Sequence, residues 1–306
     1  MLKNLISIQD FSKEEILHIL DMAAEFERDR ERDFLSGKVV ACLFFEPSTR
    51  TRLSFEAAVN RLGARVIGFP DNRNTSQTKG ETLEDTIRIV SNYVDLIVMR
   101  HPKAGAADIA ASVASVPVIN AGDGANQHPT QTLLDLYAIR KTQGRLDGLN
   151  VDMVGDLKYG RAVHSLVDAL CHFNPTFTFT APEELTMPRK YLDMLDSRGV
   201  PYRQVSRMEE GMNECDILYM TRVQQERFPD MEEYEKVKDV YRLTASMLKG
   251  VKPGMKVMHP LPRVGEIAED VDSTPYAYYF QQAGGGMYVR MAIISYLLGH
   301  SLGISF

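Results

Sequence analysis

Cysteine is scarce: three in 306 residues, with no Cys-x-x-Cys pair. That excludes a disulfide framework and a zinc knuckle. Cys42, Cys171 and Cys215 lie far apart in apolar stretches, which predicts buried free thiols in a reducing compartment. Basic charge is not in excess either. Lys and Arg number 35 against 41 Asp and Glu, for a net charge of −6, so no general nucleic-acid or polyanion surface is expected. Phosphate chemistry would have to rest on a local cluster of Arg and Lys. Long apolar runs are missing. The longest, Met291 to Gly299, is too short for a bilayer, and Met1-Leu2-Lys3-Asn4 opens no signal-peptide core. No membrane and no nucleic-acid partner is expected, and a cytoplasmic location is.

The familiar catalytic signatures are also absent. The seven histidines (18, 101, 128, 164, 172, 259 and 300) form no HExxH or Cys/His cluster, so no metal is expected. No GxSxG elbow occurs, and no GxGxxG opens a helix, so neither a serine hydrolase nor a dinucleotide enzyme is implied. Gly155-Asp156-Leu157-Lys158-Tyr159-Gly160-Arg161 has Walker-like glycine spacing. Arg-Ala follows where Lys-Ser/Thr should, which argues against nucleotide hydrolysis.

What is present is concentrated in Phe45-Glu46-Pro47-Ser48-Thr49-Arg50-Thr51-Arg52. A strand-like stretch, Val39 to Phe45, precedes it, and a helix-like stretch, Leu53 to Leu62, follows. A strand that turns into a helix through Ser-Thr-Arg-Thr makes an anion site. The first helical N–H groups point outward, the hydroxyls add donors, and Arg50 adds a planar fork suited to phosphate oxygens. The plain alternative is an ordinary helix cap with surface arginines.

Apolar patterning predicts two α/β runs. Ser12-Lys13-Glu14-Glu15 reads as a capping box for a first helix. Strands are then expected at Val39–Phe45, Arg65–Phe69, Leu96–Met99 and Val116–Asn120. Helices are expected at Leu53–Leu62, Thr82–Asn92 and Ala106–Ala114, and Pro70 to Gly80 reads as a polar loop carrying Ser76 and Lys79. A long helix, Thr130 to Thr142, leads to a second set: strands at Val151–Val154, Thr176–Thr180, Ile217–Met220 and Lys256–Met258, helices at Ala162–Phe173, Arg189–Asp196 and Glu233–Tyr241. A final buried helix is expected over Met287 to Leu298. Such alternation indicates parallel sheets flanked by helices. The expected fold is therefore α/β with two domains, 1–130 (the C-terminal helix 286–306 packing back on it) and 131–285, and an active site in the cleft between them.

Six donor-rich segments follow six of these strands: Ser48–Thr51, Arg100-His101-Pro102, Asn126 to Gln131, Arg161, Arg222, and His259-Pro260-Leu261-Pro262-Arg263. Ligands of open parallel sheets bind at the carboxyl ends of strands. A site of Arg, Lys, His, Thr and Gln, with no obvious nucleophilic side chain or cofactor, can bind two anionic substrates and orient one to attack the other.

In order along nearly the whole chain, Ser48-Thr49-Arg50-Thr51, Met99-Arg100-His101-Pro102, His128-Pro129-Thr130-Gln131, Gly155 to Arg161, Thr221-Arg222-Val223-Gln224 and His259 to Arg263 resemble the catalytic chains of aspartate carbamoyltransferases. The first and third segments are common to transcarbamoylases; the later ones mark the aspartate branch. The resemblance implies transfer of a carbamoyl group from carbamoyl phosphate to the α-amino group of L-aspartate, without a cofactor, at the committed step of pyrimidine synthesis. It implies that Ser48, Thr49, Arg50 and Thr51 hold the phosphate, and that Thr51, Arg100 and His128 polarise the carbamoyl oxygen. Gln131 and the Pro260-Leu261 carbonyl region orient the carbamoyl amide, with Leu261 and Pro262 among the carbamoyl-phosphate contacts. Arg161 and Arg222 bind the aspartate carboxylates, with Gln224 and Lys79 nearby. The resemblance further implies a homotrimer whose sites are shared, Ser76 and Lys79 coming from the adjacent subunit. The loop from Arg222 to Glu233 closes on substrate, with Glu46 and Glu233 as partners of the closed form. Whether a separate regulatory chain binds is left open.

Two other readings fit these residues less well. An ornithine-using transcarbamoylase should present carboxylates or a Cys near the last strand, whereas His259-Pro260-Leu261-Pro262 has none. A non-catalytic scaffold on this fold should have lost the phosphate and carbonyl residues, and all are present.

Overall fold

A computed structural model of the chain describes residues 2–30, 32–73, 75–223, 230–237 and 240–302. Its packing divides into two units, Met1–Tyr137 with Gly285–Phe306, and Ala138–Gly284.

The first unit carries β1 (Val39–Phe44), β2 (Arg65–Phe69), β3 (Leu96–His101) and β4 (Val118–Asp123), in the order β2-β1-β3-β4. Every pairing is parallel. Val40 to Phe44 are all 3% exposed or less. A strand covered on both faces needs a continuous apolar run, which is why this stretch does not alternate. Val40, Leu43 and Phe44 each contribute about 1.5–3 kcal/mol on burial. The chain's start also joins this sheet: the Leu5 N–H donates to Val118 O (2.9 Å) and Asn120 N–H donates to Leu5 O (2.8 Å). Around the sheet run α1 (Lys13–Arg28), α2 (Thr49–Arg61), α3 (Leu83–Val90), α4 (Ala106–Val113) and α5 (Pro129–Gln143). The expected capping box opens α1: the Ser12 hydroxyl accepts from Glu15 N–H, and the Glu15 carboxylate accepts from Ser12 N–H.

The second unit carries β5 (Asn150–Val154), β6 (Thr176–Thr180), β7 (Tyr202–Val205), β8 (Ile217–Met220) and β9 (Lys256–Met258), again all parallel, in the order β7-β6-β5-β8-β9. With them are α6 (Arg161–Leu170), α7 (Arg189–Arg198) and α8 (Met231–Val237). The last helix, α9 (Tyr279–Leu302), returns from Gly285 onward to the first unit, where the Tyr296 hydroxyl donates to Glu15 Oε1 (2.6 Å).

Several boundaries differ from expectation. The break expected at 130/131 falls at the start of α5, and the change of unit comes within that helix, after Tyr137. Helix α2 begins at Thr49, not Leu53, so Thr49, Arg50 and Thr51 are themselves its first turn. β4 extends to Asp123, α8 is described over Met231–Val237, and the Pro70–Gly80 loop contains a 3-10 turn, Ser76–Lys79. β7 was not foreseen. Helix α9 starts eight residues early and runs through Gly284-Gly285-Gly286. Glycine is a poor helix former, but Gly286 is required by space: a Cβ there would lie 2.5 Å from Arg290 Nη1 and 3.0 Å from Leu134 Cδ2.

The second sheet buries a carboxyl group. Asp152, in mid-strand on β5, is fully buried. Its Oδ1 accepts from the Thr180 hydroxyl (2.7 Å), while Oδ2 has no hydrogen-bond partner. Burial pushes its carboxyl up to about 7, against smaller lowering by the Thr180 bond and the Arg203 charge. The folded state therefore holds a proton that the unfolded chain releases near pH 4. This contribution to stability is complete below about pH 4 and is lost as pH rises through about 7. Asp152→Asn, which mimics the protonated form, is expected to lose less stability than the native chain between pH 5.5 and 8, a difference of a few kcal/mol. Urea unfolding at both pH values measures it; parallel slopes would show that Asp152 is ionised in the fold.

Candidate active site

Parallel pairing places all strand exits of a unit on one side of its sheet. In the first unit the order reverses between β1 and β3. Such switch points open a crevice for ligand. Ser48–Thr51 follow β1, and Arg100 lies on β3 beside it: Phe45 N–H donates to Arg100 O (2.8 Å). At the start of α2, Ser48 occupies the cap position in an extended conformation, yet its side chain makes no cap bond. Helix geometry leaves the first-turn N–H groups without intrahelical partners, and the helix dipole adds partial positive charge there. Thr49 and Arg50 are exposed, Ser48 half-buried and Thr51 buried. Arg52 is different: its Nε donates to Glu56 Oε1 at 2.7 Å, an ordinary i,i+4 pair that turns it away from this role.

Arg100 is half-buried and fixed from two sides. Its guanidinium lies 3.0 Å from Glu46 Oε2 and donates to Ala121 O at 3.4 Å. Glu46, expected to hold a closed loop, here braces Arg100. His101, its neighbour, bends the chain instead: its Nδ1 accepts from Lys103 N–H (3.0 Å), and burial lowers its pKa.

His128 ends the loop after β4, immediately before α5, and is 7% exposed. Thr130 Oγ1 lies 3.4 Å from its Nδ1. A hydroxyl donating there leaves the ring proton on Nε2, so His128 can act as a neutral donor. Asp123 shapes that loop. Its carboxylate accepts from Asn120 Nδ2, Gln127 N–H, Gly105 N–H and Asn126 Nδ2 at 2.9–3.1 Å, tying the β3 and β4 exits together. Gln131 donates through Nε2 to Asp135 Oδ1 (2.9 Å). A carboxylate only accepts, so the Gln131 amide is oriented with its carbonyl oxygen available to accept. Asp135 in turn faces the charge of Arg290, a buried guanidinium from α9 that donates to Ser54 Oγ (2.9 Å) and lies 5.1 Å from the Phe55 ring centroid. Asp123, Asp135 and Arg290 were not foreseen, because their importance lies in contacts distant in sequence.

In the second unit the order reverses between β5 and β8. Arg161, the first residue of α6, follows β5, and Arg222 follows β8; both are half-buried. His164, one turn into α6, donates from Nε2 to Leu157 O (2.7 Å) and stacks on Tyr191 with centroids 4.2 Å apart. Burial holds its pKa down at about 4, so the ring is a neutral brace for the loop before Arg161.

The β9 exit is fixed by a second histidine. Leu261 N–H donates to His259 Nδ1 (2.8 Å), which places the ring proton on Nε2, and that donates to Glu266 Oε1 (2.7 Å). Glu266 Oε2 accepts from the N–H groups of Val264 and Gly265, both at 3.0 Å. Burial keeps His259 neutral. Burial also opposes the charge on Glu266, but the bonds from His259 and the backbone outweigh it and keep the carboxylate ionised. The pair thus sets the Leu261-Pro262 backbone, with Leu261 at φ 56° and a cis peptide to Pro262. Arg263, counted with the basic exits, is held by Asp272 through both terminal guanidinium nitrogens and lies against the Tyr279 ring. That leaves it a structural residue.

Ser76 and Lys79 are exposed on their 3-10 turn, with Gly80 ending it at φ 97°. Gln224 lies outside the described residues, as does the Glu233 side chain. Among the described residues, no group of three or more His, Cys, Asp or Glu is placed to hold a metal ion, and no helix is long and apolar enough to cross a membrane.

Comparison with known proteins adds an independent line. Residues 3–141 match the family model of the aspartate/ornithine carbamoyltransferase carbamoyl-P binding domain, and residues 147–297 match that of the Asp/Orn binding domain. The aspartate carbamoyltransferase catalytic subunit of Phocaeicola vulgatus is 60% identical over 301 residues, covering 98% of this chain and 96% of its own. That of Chromobacterium violaceum is 57% identical over 300 residues, covering 98% and 99%. Among solved structures, the catalytic subunit of M. jannaschii aspartate transcarbamoylase superposes with a TM-score of 0.92 at 50% identity, covering 99% of this chain and 100% of that one. Aspartate transcarbamoylase from Trypanosoma cruzi, in complex with carbamoyl phosphate and aspartate, gives 0.91 at 39% identity, covering 95% of each.

Proposed function

The chain belongs to the aspartate/ornithine carbamoyltransferase family, and from that premise we infer that it transfers the carbamoyl group of carbamoyl phosphate to the α-amino group of L-aspartate. The products are N-carbamoyl-L-aspartate and phosphate. The observation that carries the reading is the placement of the donors: Ser48–Thr51 and Arg100 flank the switch point of one sheet, and Arg161 and Arg222 flank that of the other.

Ser48, Thr49, Arg50, Thr51 and the α2 N-terminus hold the phosphate of carbamoyl phosphate. Thr51, Arg100 and His128 face the carbamoyl oxygen. The Gln131 carbonyl oxygen accepts from the carbamoyl amide, whose other contact is the backbone at Pro260-Leu261, with Leu261 and Pro262. The pinned Gln131 amide and the His259–Glu266 brace support that orientation. Arg161 and Arg222 take the two aspartate carboxylates, with Gln224 and Lys79 completing that subsite. The α-amino group, as free amine, attacks the carbamoyl carbon. A C–N bond forms, the carbonyl oxygen gains negative charge against its three donors, and the C–O bond to phosphate breaks as the amine proton passes to the departing phosphate. Succinate, which keeps both carboxylates and lacks the amine, should compete with aspartate and not with carbamoyl phosphate. Competition against carbamoyl phosphate alone would misplace the arginine pair.

The active assembly is a homotrimer in which Ser76 and Lys79 serve the neighbouring subunit's site. Support comes from their exposure and from apolar residues left uncovered in the first unit: Leu53 at 55%, Ile67 at 45%, Ile89 at 50% and Tyr93 at 64%. Arg50→Ala and Lys79→Ala proteins, each nearly inactive, are mixed, dissociated and reassembled. Each mixed trimer then has one site with native Arg50 and native Lys79, hence about one third of native activity. Mixed trimers seen by mass but still inactive would place Lys79 in its own subunit's site or in none.

A further inference from the structure

Thr221 sits between the two arginine loops and bonds to both sides. It continues the β8 ladder by one residue, its N–H donating to Val154 O at 2.9 Å. Its hydroxyl donates to the same Val154 O (3.0 Å) and accepts from Asp156 N–H (3.0 Å). A hydroxyl has one donor and two acceptor sites, so its only proton is committed to β5 and a lone pair to the loop beyond it. From Asp156 the constraint runs on towards Arg161: Asp156 Oδ1 accepts from Tyr159 N–H (2.9 Å), and a Cβ on Gly160 would lie 2.5 Å from Asp156 O. On the other side, Thr221 directly precedes Arg222. The two backbones are in close approach here. Gly155 has φ +114°, and a Cβ on it would lie 2.4 Å from Thr221 O and 2.7 Å from Thr221 Oγ1. Thr221 is 7% exposed, so water does not substitute readily for either bond. Its branched Cβ leaves the hydroxyl few orientations.

We propose that Thr221 is the positioning residue that fixes the spacing of Arg161 and Arg222, and so sets the length of dicarboxylate the site selects. The proposal rests on the reading that those two arginines bind the aspartate carboxylates. Succinate has the carboxylate spacing of aspartate, and glutarate is one methylene longer. A gap held by a rigid hydroxyl bridge discriminates between them, whereas one joined only by backbone contact tolerates both.

The test uses Thr221→Val, which keeps the shape and removes the hydroxyl, Thr221→Ala in case the first does not fold, and Thr221→Ser, which restores the hydroxyl. Succinate and glutarate binding are measured with carbamoyl phosphate bound, alongside KM for each substrate. In the Val and Ala variants, succinate affinity and KM for aspartate should worsen on the order of ten- to a hundredfold, as expected for ligand groups displaced by a fraction of an ångström. The preference for succinate over glutarate should shrink, KM for carbamoyl phosphate should stay within about twofold, and Ser should recover most of the loss. Arg161→Ala and Arg222→Ala serve as controls. Loss of succinate binding in both arginine variants, with an unchanged succinate-to-glutarate ratio in Thr221→Val and Thr221→Ala, overturns the role of Thr221 alone. Equal loss for both substrates, unrescued by Ser, also overturns it, since that is what general loosening of the fold produces. Unchanged succinate binding in the arginine variants overturns the reading of the site and the proposal with it.

Discussion

Arg50→Ala is expected to lower kcat by about 10³-fold or more, on the scale of losing a phosphate-directed arginine in transferase chemistry. Arg50 is the second residue of α2, exposed, at the carboxyl end of a buried strand. The leaving group is a phosphate dianion, and charge builds on its bridging oxygen as the C–O bond breaks. A guanidinium can hold two of those oxygens at once, and the helix N-terminus beneath it supplies further donors. Removing the fork leaves the departing charge to hydroxyls and amides. The exposed position means the fold should survive, so unfolding midpoints should change little. Turnover within a few-fold of native would show that the phosphate sits elsewhere.

His128→Ala is expected to lower kcat by about 10²–10³-fold with little change in KM for carbamoyl phosphate. The ring's neighbour at Nδ1 is a hydroxyl, and the ring precedes α5 in a loop tied down by Asp123. In the proposed site a donor from this ring meets the carbamoyl oxygen and would interact more strongly as that oxygen becomes an oxyanion, so its effect should fall mainly on the transition state. A rise in KM alone, with kcat unchanged, would make His128 a ground-state contact.

Features that depend on local pattern were legible in the sequence. Val40–Phe44 is buried on both faces and therefore reads as an unbroken apolar run, and the Ser12–Glu15 box announces α1 by chemistry that operates within four residues. The donor-rich strand exits could be found because each is a short contiguous segment. Tyr202–Val205 could not be found this way. It is an edge strand with Arg203 and Gln204 exposed, so it lacks the signature of a buried parallel strand. The early start of α9 was hidden by three glycines, of which Gly286 is needed because Arg290 and Leu134 lie nearby in space. Likewise Thr221 stood inside a recognised motif without a role. Its importance comes from Asp156, 65 residues away in sequence. Arg263 misled in the other direction: it belongs to a basic segment, but Asp272 and Tyr279 occupy it. The donor-rich segments at the strand exits were legible by type and position; the residues that hold those segments in place required the three-dimensional contacts.

Product identity with two competing acceptors tests the central claim most directly. The protein is incubated with carbamoyl phosphate and equal concentrations of aspartate and ornithine, and the carbamoylated amino acids are separated and quantified. In the proposed site the two arginines flanking the switch point of the second sheet would select a dicarboxylate and repel a second ammonium group, so N-carbamoyl-aspartate with stoichiometric phosphate is the expected product and citrulline should be absent. Citrulline as the main product, or phosphate released without any carbamoyl amino acid, would contradict the account.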